Sequence, residues 1–218
     1  MKYELVIFDF DGTLGDTRES IVRTFQAVMR ELGLGEASDE QCAATIGLTL
    51  EGGFRAMFPD LPPEEIELCA ATYRRIFSER MKNYLPPLFP GVKESLETLK
   101  ARGHTLTIAS SRHRQGTEGF LKEYGLSPLF SLVLGASEVQ RPKPDSEAVQ
   151  KTMNMLHFAP AETLVVGDMP FDILMGRGAG ASTCGVSWGN STSDALKAAG
   201  ATYIIDSFPE ILNVTEPV

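Results

Sequence analysis

The chain has 218 residues, of which 43% are hydrophobic, so it can bury a sizeable core and is not wholly disordered. Its formal charge of −9 comes from 29 acidic and 20 basic residues and argues against general binding of nucleic acid or anionic membranes. No apolar run approaches the roughly 20 residues of a membrane span. Three scattered cysteines without a C-x-x-C pattern favour free thiols in a reducing compartment. We therefore expect a cytoplasmic protein with no nucleic-acid or membrane partner.

The first apolar segment predicts a strand that is buried on both faces. Leu5–Phe8 is apolar throughout and does not alternate with polar residues, as is typical of parallel sheets. A polar, glycine-containing segment follows at residues 9–14. Asp16, with Glu19 three residues later, resembles a capping box at the start of a helix. Apolar residues then recur at helical spacing as far as Leu32.

From Gly33 to about Pro87 the sequence shows no convincing strand. Pro62 and Pro63 stand where a helix can begin. The apolar residues that follow them share one helical face: Ile66, Cys69, Ala70, Tyr73, Ile76 and Phe77. We interpret this face as helix packing and not as a cofactor site. Residues 16–87 are therefore predicted to be an all-helical insert, and this name is kept below.

Beyond the insert, helical and strand patterns alternate. Strands are predicted over residues 105–109, 132–134, 163–166, 183–186 and 203–205. Helices are predicted over residues 93–101 and 145–155. Another helix follows the strand at residues 105–109 and runs to residue 124, and a shorter one follows the strand at residues 163–166. Such alternation indicates right-handed crossovers and an α/β fold, a Rossmann-like parallel sheet with helices on both faces. We expect one core domain from residues 1–15 and 88–218, with the all-helical insert at residues 16–87 as a second domain.

Polar residues follow several predicted strands, at the sheet edge where parallel α/β folds bind ligands. Singly, each is better explained as a turn, a helix cap or a surface residue. Their coincidence at one edge favours a site instead. The residues are Asp9 and Asp11 after the first strand, Ser110 and Ser111 after the second, Asp168 and Asp172 after the fourth, and Lys143 at a helix start.

Four carboxylates at one edge repel one another, which raises their pKa values unless a cation lies among them. Hard oxygen ligands suit Mg²⁺, and such a site beside a lysine and helix N-termini suits a phosphate. Among the histidines, His104 and His157 are interpreted as structural. Contacts of His113, Arg112 and Arg55 with a substrate are left open.

These residues resemble the four motifs of the haloacid dehalogenase (HAD) superfamily, and the resemblance covers essentially the whole chain. Residues 9–14 read DFDGTL and resemble the first motif, Ser110 the second, and Lys143 the third. Gly167 and Asp168, together with Asp172, resemble the fourth. Residues 89–92 (FPGV), the Lys143–Pro144 pair and residues 185–189 (GVSWG) look most like the phosphoglycolate phosphatase branch, whose small helical cap falls where the insert lies.

The resemblance implies a Mg²⁺-dependent phosphatase that acts on a small phosphorylated metabolite, a phosphate monoester such as phosphoglycolate, through an aspartyl-phosphate. It implies that Asp9 is the nucleophile and Asp11 the acid and base, while Ser110 and Lys143 hold the transferring oxygens. Phosphate contacts are expected from Gly12, Thr13, Ser110, Ser111 and Lys143. Metal ligands are expected from Asp9, Asp168 and the backbone carbonyl of Asp11, and Asp172 is expected to support this metal site from behind the ligands or through water.

Other activities in the superfamily fit less well. Dehalogenase members lack an aspartate at the position of Asp11, and residues 15–81 contain no lysine for the Schiff base of a phosphonate hydrolase. A phosphomutase stays as the alternative, although the insert loop 46–53 offers no cation for a second phosphate and Arg55 is the nearest. A non-catalytic binding module is disfavoured because every core motif position is present. Monomer and homodimer both stay open, and we expect the insert to act as a lid hinged at Gly15 and residues 86–87.

Overall fold

The computed structural model describes residues 2–82 and 84–216, and in them one sheet of six parallel strands carries the fold. Its strand order is β3-β2-β1-β4-β5-β6. Strands β2 and β3 are added on one side of β1, and β4, β5 and β6 on the other, so the order of addition reverses between β1 and β4. In open α/β sheets ligands bind at such a reversal, beyond the carboxyl ends of the strands. The strands are Leu5–Phe8 (β1), Thr105–Ala109 (β2), Phe130–Leu134 (β3), Thr163–Gly167 (β4), Ser182–Val186 (β5) and Tyr203–Ile205 (β6).

Within the described residues, ten α-helices accompany the sheet, and the first four lie between β1 and β2. Those four are Arg18–Leu32 (α1), Asp39–Ala43 (α2), Leu50–Met57 (α3) and Pro63–Met81 (α4). The remaining six are Val92–Ala101 (α5), Arg114–Glu123 (α6), Glu147–Leu156 (α7), Pro170–Gly178 (α8), Ser193–Ala198 (α9) and Ile211–Thr215 (α10). None of these helices is long and apolar enough to cross a membrane.

The central strand β1 explains why the sheet is covered on both faces. Its side chains are fully buried, and alternate residues point to opposite faces. Val6 and Phe8 belong to one hydrophobic cluster, whereas Leu5 and Ile7 belong to a second one, which includes residues of α7 and α8. The predicted α/β fold with helices on both faces is therefore confirmed.

The insert has an aromatic core that continues into the sheet domain. Phe25 of α1 lies 4.7 Å from Phe54 and 5.0 Å from Tyr73, measured between ring centroids. Tyr73 stacks on Phe77, also of α4, at 5.6 Å. Phe77 then meets Phe120 of α6 edge-on at 6.2 Å. The described part of the insert contains no strand, as predicted, and its last helix packs on the core domain.

The two connections between insert and core run side by side. The Asp16 N–H donates to the Pro87 carbonyl at 2.9 Å, and the Phe89 N–H donates to the Leu14 carbonyl at 3.0 Å. This pairing also shows that the predicted N-cap at Asp16 was wrong. Asp16 belongs to the connection, while Thr17 precedes the first helical residue. The division at residues 15 and 88, and the hinge placed there, stay predictions.

Candidate active site

Five charged or hydroxylic side chains meet at the carboxyl edge of the sheet, and all five are buried. Asp9 follows β1, Ser110 follows β2 and Asp168 follows β4. Asp172 lies in the first turn of α8, and Lys143 lies in the segment between β3 and α7. The topology therefore brings these predicted residues together.

Lys143 lies at the centre of this group. Its Nζ donates to Asp9 Oδ1 at 2.5 Å and to Asp172 Oδ1 at 2.6 Å. Burial disfavours the ammonium, but the negative charges of Asp172 and Asp9 more than offset this effect and raise the pKa of Lys143. Lys143 is therefore a fixed positive charge beside Asp9.

Asp9, Asp168 and Asp172 form an acidic cluster whose facing oxygens all lie within 4.8 Å of one another. Burial raises the pKa of Asp9 well above its usual range, and the charges of Asp172 and Asp168 add to this rise while Lys143 opposes it. Burial and the charge of Asp172 raise the pKa of Asp168 to about 7. One lysine compensates only one of three carboxylates, so a buried divalent cation fits this cluster.

The loop after β5 fixes the orientation of Asp168. Asn190 donates to Asp168 Oδ2 twice, from its backbone N–H at 2.7 Å and from its side-chain amide at 2.9 Å. The Thr13 hydroxyl donates to Asp168 Oδ1 at 3.3 Å. These bonds hold one carboxylate of the acidic cluster in place from two separate segments of the chain.

Gly12 and Thr13 have other partners than the predicted phosphate. Gly12 has a φ of +85°, and its N–H donates to the Gly15 carbonyl at 2.9 Å. A Cβ at Gly12 would stand 2.3 Å from Asp168 Oδ2, which is closer than any real contact. Since the Thr13 hydroxyl bonds to Asp168, both residues shape the acidic cluster, and their phosphate contact stays a prediction.

The Asp11 carboxyl lies outside the acidic cluster and has its own partners. Arg112 donates to it from Nε at 3.1 Å and from Nη2 at 2.6 Å, and the Thr17 hydroxyl donates at 2.7 Å. The Arg112 guanidinium lies over two rings, 4.7 Å from the Phe77 centroid and 5.1 Å from that of Phe120. Because Phe77 belongs to the insert, Arg112 joins the insert, the core and Asp11 at one point.

The two serines after β2 differ in their surroundings. The Ser110 hydroxyl is buried and accepts from the Arg112 N–H at 3.1 Å. The Ser111 hydroxyl donates to the Gly47 carbonyl of the insert at 2.7 Å. Ser111 therefore contacts the insert in this structure, and its predicted phosphate contact is untested.

Core and insert together enclose a cavity of about 1320 Å³. Asp9 and Asp11 line it from the core, and Gly47, Arg74 and Phe77 line it from the insert. A ligand bound at Asp9 would therefore lie in a cavity whose opposite wall belongs to the insert.

The cations of the insert differ in whether they line the cavity. Arg55, the cation nearest in sequence to loop 46–53, is exposed on α3 and lies outside the set of described cavity-lining residues. Arg74 of α4 lines the cavity and forms an ion pair with Glu51. The loop sequence could not reveal this cation, because Arg74 comes 21 residues after the end of the loop.

Sequence reasoning also missed Thr17 and Asn190. Asn190 follows β5, whose carboxyl end lies at the same edge as those of β1 and β4. The rule that ligands bind beyond the carboxyl ends of parallel strands could therefore have found it. Thr17 carries no such signal, because it lies on the connection to the insert.

Known proteins resemble this chain over almost its full length. A family model described as "Haloacid dehalogenase-like hydrolase" matches residues 6–186. "Probable phosphatase IndB" of Dickeya dadantii (strain 3937) is 41% identical over 211 residues, which cover 95% of this chain and 91% of that protein. "Pyrophosphatase PpaX" of Halalkalibacterium halodurans is 31% identical over 214 residues, which cover 98% and 97% respectively. The crystal structure of a "predicted phosphoglycolate phosphatase" from Haemophilus somnus 129pt shares the fold, with a TM-score of 0.87, 24% identity and 99% of each chain covered.

The chain belongs to the haloacid dehalogenase-like hydrolases, since that family model spans most of its length. The predicted superfamily is thereby confirmed. The predicted enzyme class is confirmed as well: the protein is a hydrolase of a family that has phosphatases among its members. The metal, the substrate and the roles of single residues stay predictions.

Proposed function

We propose that this hydrolase is a Mg²⁺-dependent phosphatase that hydrolyses a small phosphate monoester through an aspartyl-phosphate. The observation that carries the proposal is the acidic cluster with Lys143 bonded to Asp9, which lines the cavity. Phosphoryl transfer to an enzyme requires a nucleophile together with groups that hold the phosphate oxygens. The Asp9 carboxylate would be the nucleophile, and the Lys143 ammonium and the Ser110 hydroxyl would hold the oxygens. The relatives named as phosphatases support the same activity.

Asp9, Asp168 and the backbone carbonyl of Asp11 would hold the Mg²⁺, with Asp172 beside them. The fit rests on three buried carboxylates, of which Lys143 pairs with Asp9 and Asp172. When bound, the ion supplies charge that offsets the repulsion between the Asp9 carboxylate and a phosphate. Asn190 and Thr13 keep Asp168 in position for this task.

Asp9 is the nucleophile in this proposal. One of its oxygens attacks phosphorus, the ester P–O bond breaks, and an aspartyl-phosphate forms. The Lys143 ammonium and the Ser110 hydroxyl hold the non-bridging oxygens of the transferring group, where negative charge concentrates. The bond from Lys143 to Oδ1 also restricts the orientation of the Asp9 carboxylate.

Asp11 serves as the acid and base. It donates a proton to the leaving oxygen in the first step, and in the second it takes a proton from the water that attacks the aspartyl-phosphate. The second step releases phosphate and restores the Asp9 carboxylate. Arg112 and Thr17 orient the Asp11 carboxyl for these transfers, and the side chains of Arg112 and Asp11 are only 13% and 14% exposed.

The substrate belongs to the proposal at the level of chemical class. Phosphoglycolate and pyrophosphate are the first two compounds to assay, because proteins named for them are similar in fold or in sequence. The cavity of about 1320 Å³ admits either with space to spare. We also propose a cytoplasmic location, supported by Cys42, Cys69 and Cys184, which are buried free thiols.

The decisive experiment is hydrolysis of p-nitrophenyl phosphate with Mg²⁺ by the wild type and by Asp9→Asn. An amide cannot form the acyl-phosphate, so Asp9→Asn should lose at least about a thousandfold in kcat, which is roughly 4 kcal/mol of barrier. Asp194→Asn is the matched control, because Asp194 is exposed on α9 and should leave the rate unchanged. Residual Asp9→Asn activity within about tenfold of wild type would contradict the nucleophile assignment.

A phosphomutase is the second candidate, and Arg74 is the observation that favours it. A mutase must bind a second phosphate in the cavity, and Arg74 gives the insert a cation there. Incubation with a sugar phosphate, followed by phosphorus NMR, separates the two activities. A phosphatase releases inorganic phosphate, whereas a mutase yields the isomeric sugar phosphate with little release.

A further inference from the structure

Arg74 and His113 line the cavity where the insert faces the core, outside the acidic cluster, and Glu51 contacts Arg74 from within the insert. The Arg74 guanidinium donates to Glu51, and its Nη2 lies 3.0 Å from His113 Nε2. Because a guanidinium only donates, the histidine nitrogen accepts in this contact. Arg74 and Glu51 belong to the insert, while His113 precedes α6 of the core.

Among the described arginines that line the cavity, Arg74 is the one whose acidic partner comes from the insert. Arg112 is paired with the buried Asp11, and Arg114 is paired with Glu118 one helical turn away. Arg74 and Glu51 are 43% and 39% exposed. Half-exposed ion pairs contribute little to stability, so an anionic ligand can take the place of the glutamate.

His113 is close in the chain to a residue of the proposed phosphate site. Ser110, which we propose to hold the transferring oxygens, lies only three residues before it. Three residues of fully extended chain span about 10 Å, so the backbones of Ser110 and His113 lie no farther apart than that. Asp9 and Arg74 line the same cavity, so one ligand in it can contact both.

We propose that Arg74, positioned by His113, binds a second anionic group in the leaving part of the substrate. The substrate is then a small phosphate ester or anhydride whose leaving group carries a carboxylate or a phosphoryl group. Arg74 recognises the oxygens that these two groups share through its planar set of donors. Glu51 pairs with Arg74 until the anionic group of the substrate takes over this pairing. The inference rests on the proposed phosphatase activity and adds the charge of the leaving group to it.

The test compares kcat/KM for charged and neutral substrates. Phosphoglycolate is paired with its neutral amide, and pyrophosphate with methyl phosphate, all with saturating Mg²⁺. In each pair the ratio of the two kcat/KM values measures recognition of the second anion. The variants are Arg74→Met, Arg74→Lys and Glu51→Gln, with Arg75→Met as the matched control, since Arg75 pairs with Glu31 inside the insert.

We expect Arg74→Met to lower the ratio about tenfold or more, because a charge-assisted hydrogen bond is lost. Arg74→Lys should restore part of it, and Glu51→Gln should raise it, since the competing carboxylate is gone. Arg75→Met should leave it unchanged. A fall confined to one pair identifies the second group as a carboxylate or as a phosphoryl group.

Two results would overturn the inference: a wild type that prefers the neutral member of both pairs, or an Arg74→Met variant with an unaltered ratio. Failure of the proposed function looks different. In that case the wild type hydrolyses none of these compounds, nor p-nitrophenyl phosphate.

Discussion

Replacing Gly12 by alanine tests whether the loop after β1 holds the acidic cluster by close contact. At a φ of +85° an alanine meets the left-handed penalty of about 1–2 kcal/mol. Its Cβ would also stand 2.3 Å from both Asp168 Oδ2 and Asn190 Nδ2, so the bond between these two must break. A buried carboxylate that loses a partner costs about 1–3 kcal/mol more.

Gly33→Ala is the matched control, because Gly33 has a φ of +68° but nothing within 4 Å of the added carbon. It should lose only the conformational part, about 1–2 kcal/mol, while Gly12→Ala loses about 2–5 kcal/mol. In a chain of this size each kcal/mol lowers Tm by about 2–4 °C, which calorimetry resolves. Gly12→Ala should also need more Mg²⁺ for half-maximal activity. Equal Tm losses and equal Mg²⁺ requirements in the two variants would refute the close-contact argument.

Three further predictions address the chemistry and the stability. Asp11→Asn should release one equivalent of p-nitrophenol in a rapid burst and then stall, because an amide cannot deprotonate water; steady turnover at the wild-type rate would exclude the base role. Excess EDTA should abolish activity, and Asp168→Ala should raise the Mg²⁺ requirement by about tenfold or more; full activity in EDTA would contradict the metal assignment. Burial lowers the pKa of His104, whose Nδ1 lies 2.7 Å from the Tyr3 carbonyl, so the unfolded chain takes up its proton first as the pH falls below about 6.5. The unfolding free energy in urea should therefore fall between pH 7 and pH 5.5 more steeply for wild type than for His104→Gln, and identical slopes would argue against this role.

The sheet and the acidic cluster could be predicted because both depend on local patterns and one topological rule. A fully apolar Leu5–Phe8 indicates a strand covered on both faces, which the structure shows. The residues after β1 and β4 meet because parallel strands end at the same edge of the sheet. Asp9 and Asp168 could therefore be brought together on paper although more than 150 residues separate them.

The contacts between insert and core could not be predicted in this way. Helical spacing identifies which residues of α4 share a face, but not where α4 packs on α6. The contacts of Arg112 with the Phe77 and Phe120 rings and the approach of Arg74 to His113 both depend on that packing. The start of α1 was misplaced for a related reason, since a distant partner, Pro87, holds the backbone of Asp16.

The position of β1 in the middle of the sheet has a consequence for when the parts of the protein can fold during synthesis. β1 leaves the ribosome first, yet its neighbours begin only at Thr105 and Thr163. The helices of the insert rely on contacts between nearby residues and can form early, whereas β1 must wait for partners that are distant along the chain. Asp9 thus follows the first strand to be synthesised but gains Lys143 and Asp168 only late. A nascent chain that stops before β4 can pair β1 on one side only, with β2, and it lacks Asp168 and Asp172, so its acidic cluster is incomplete.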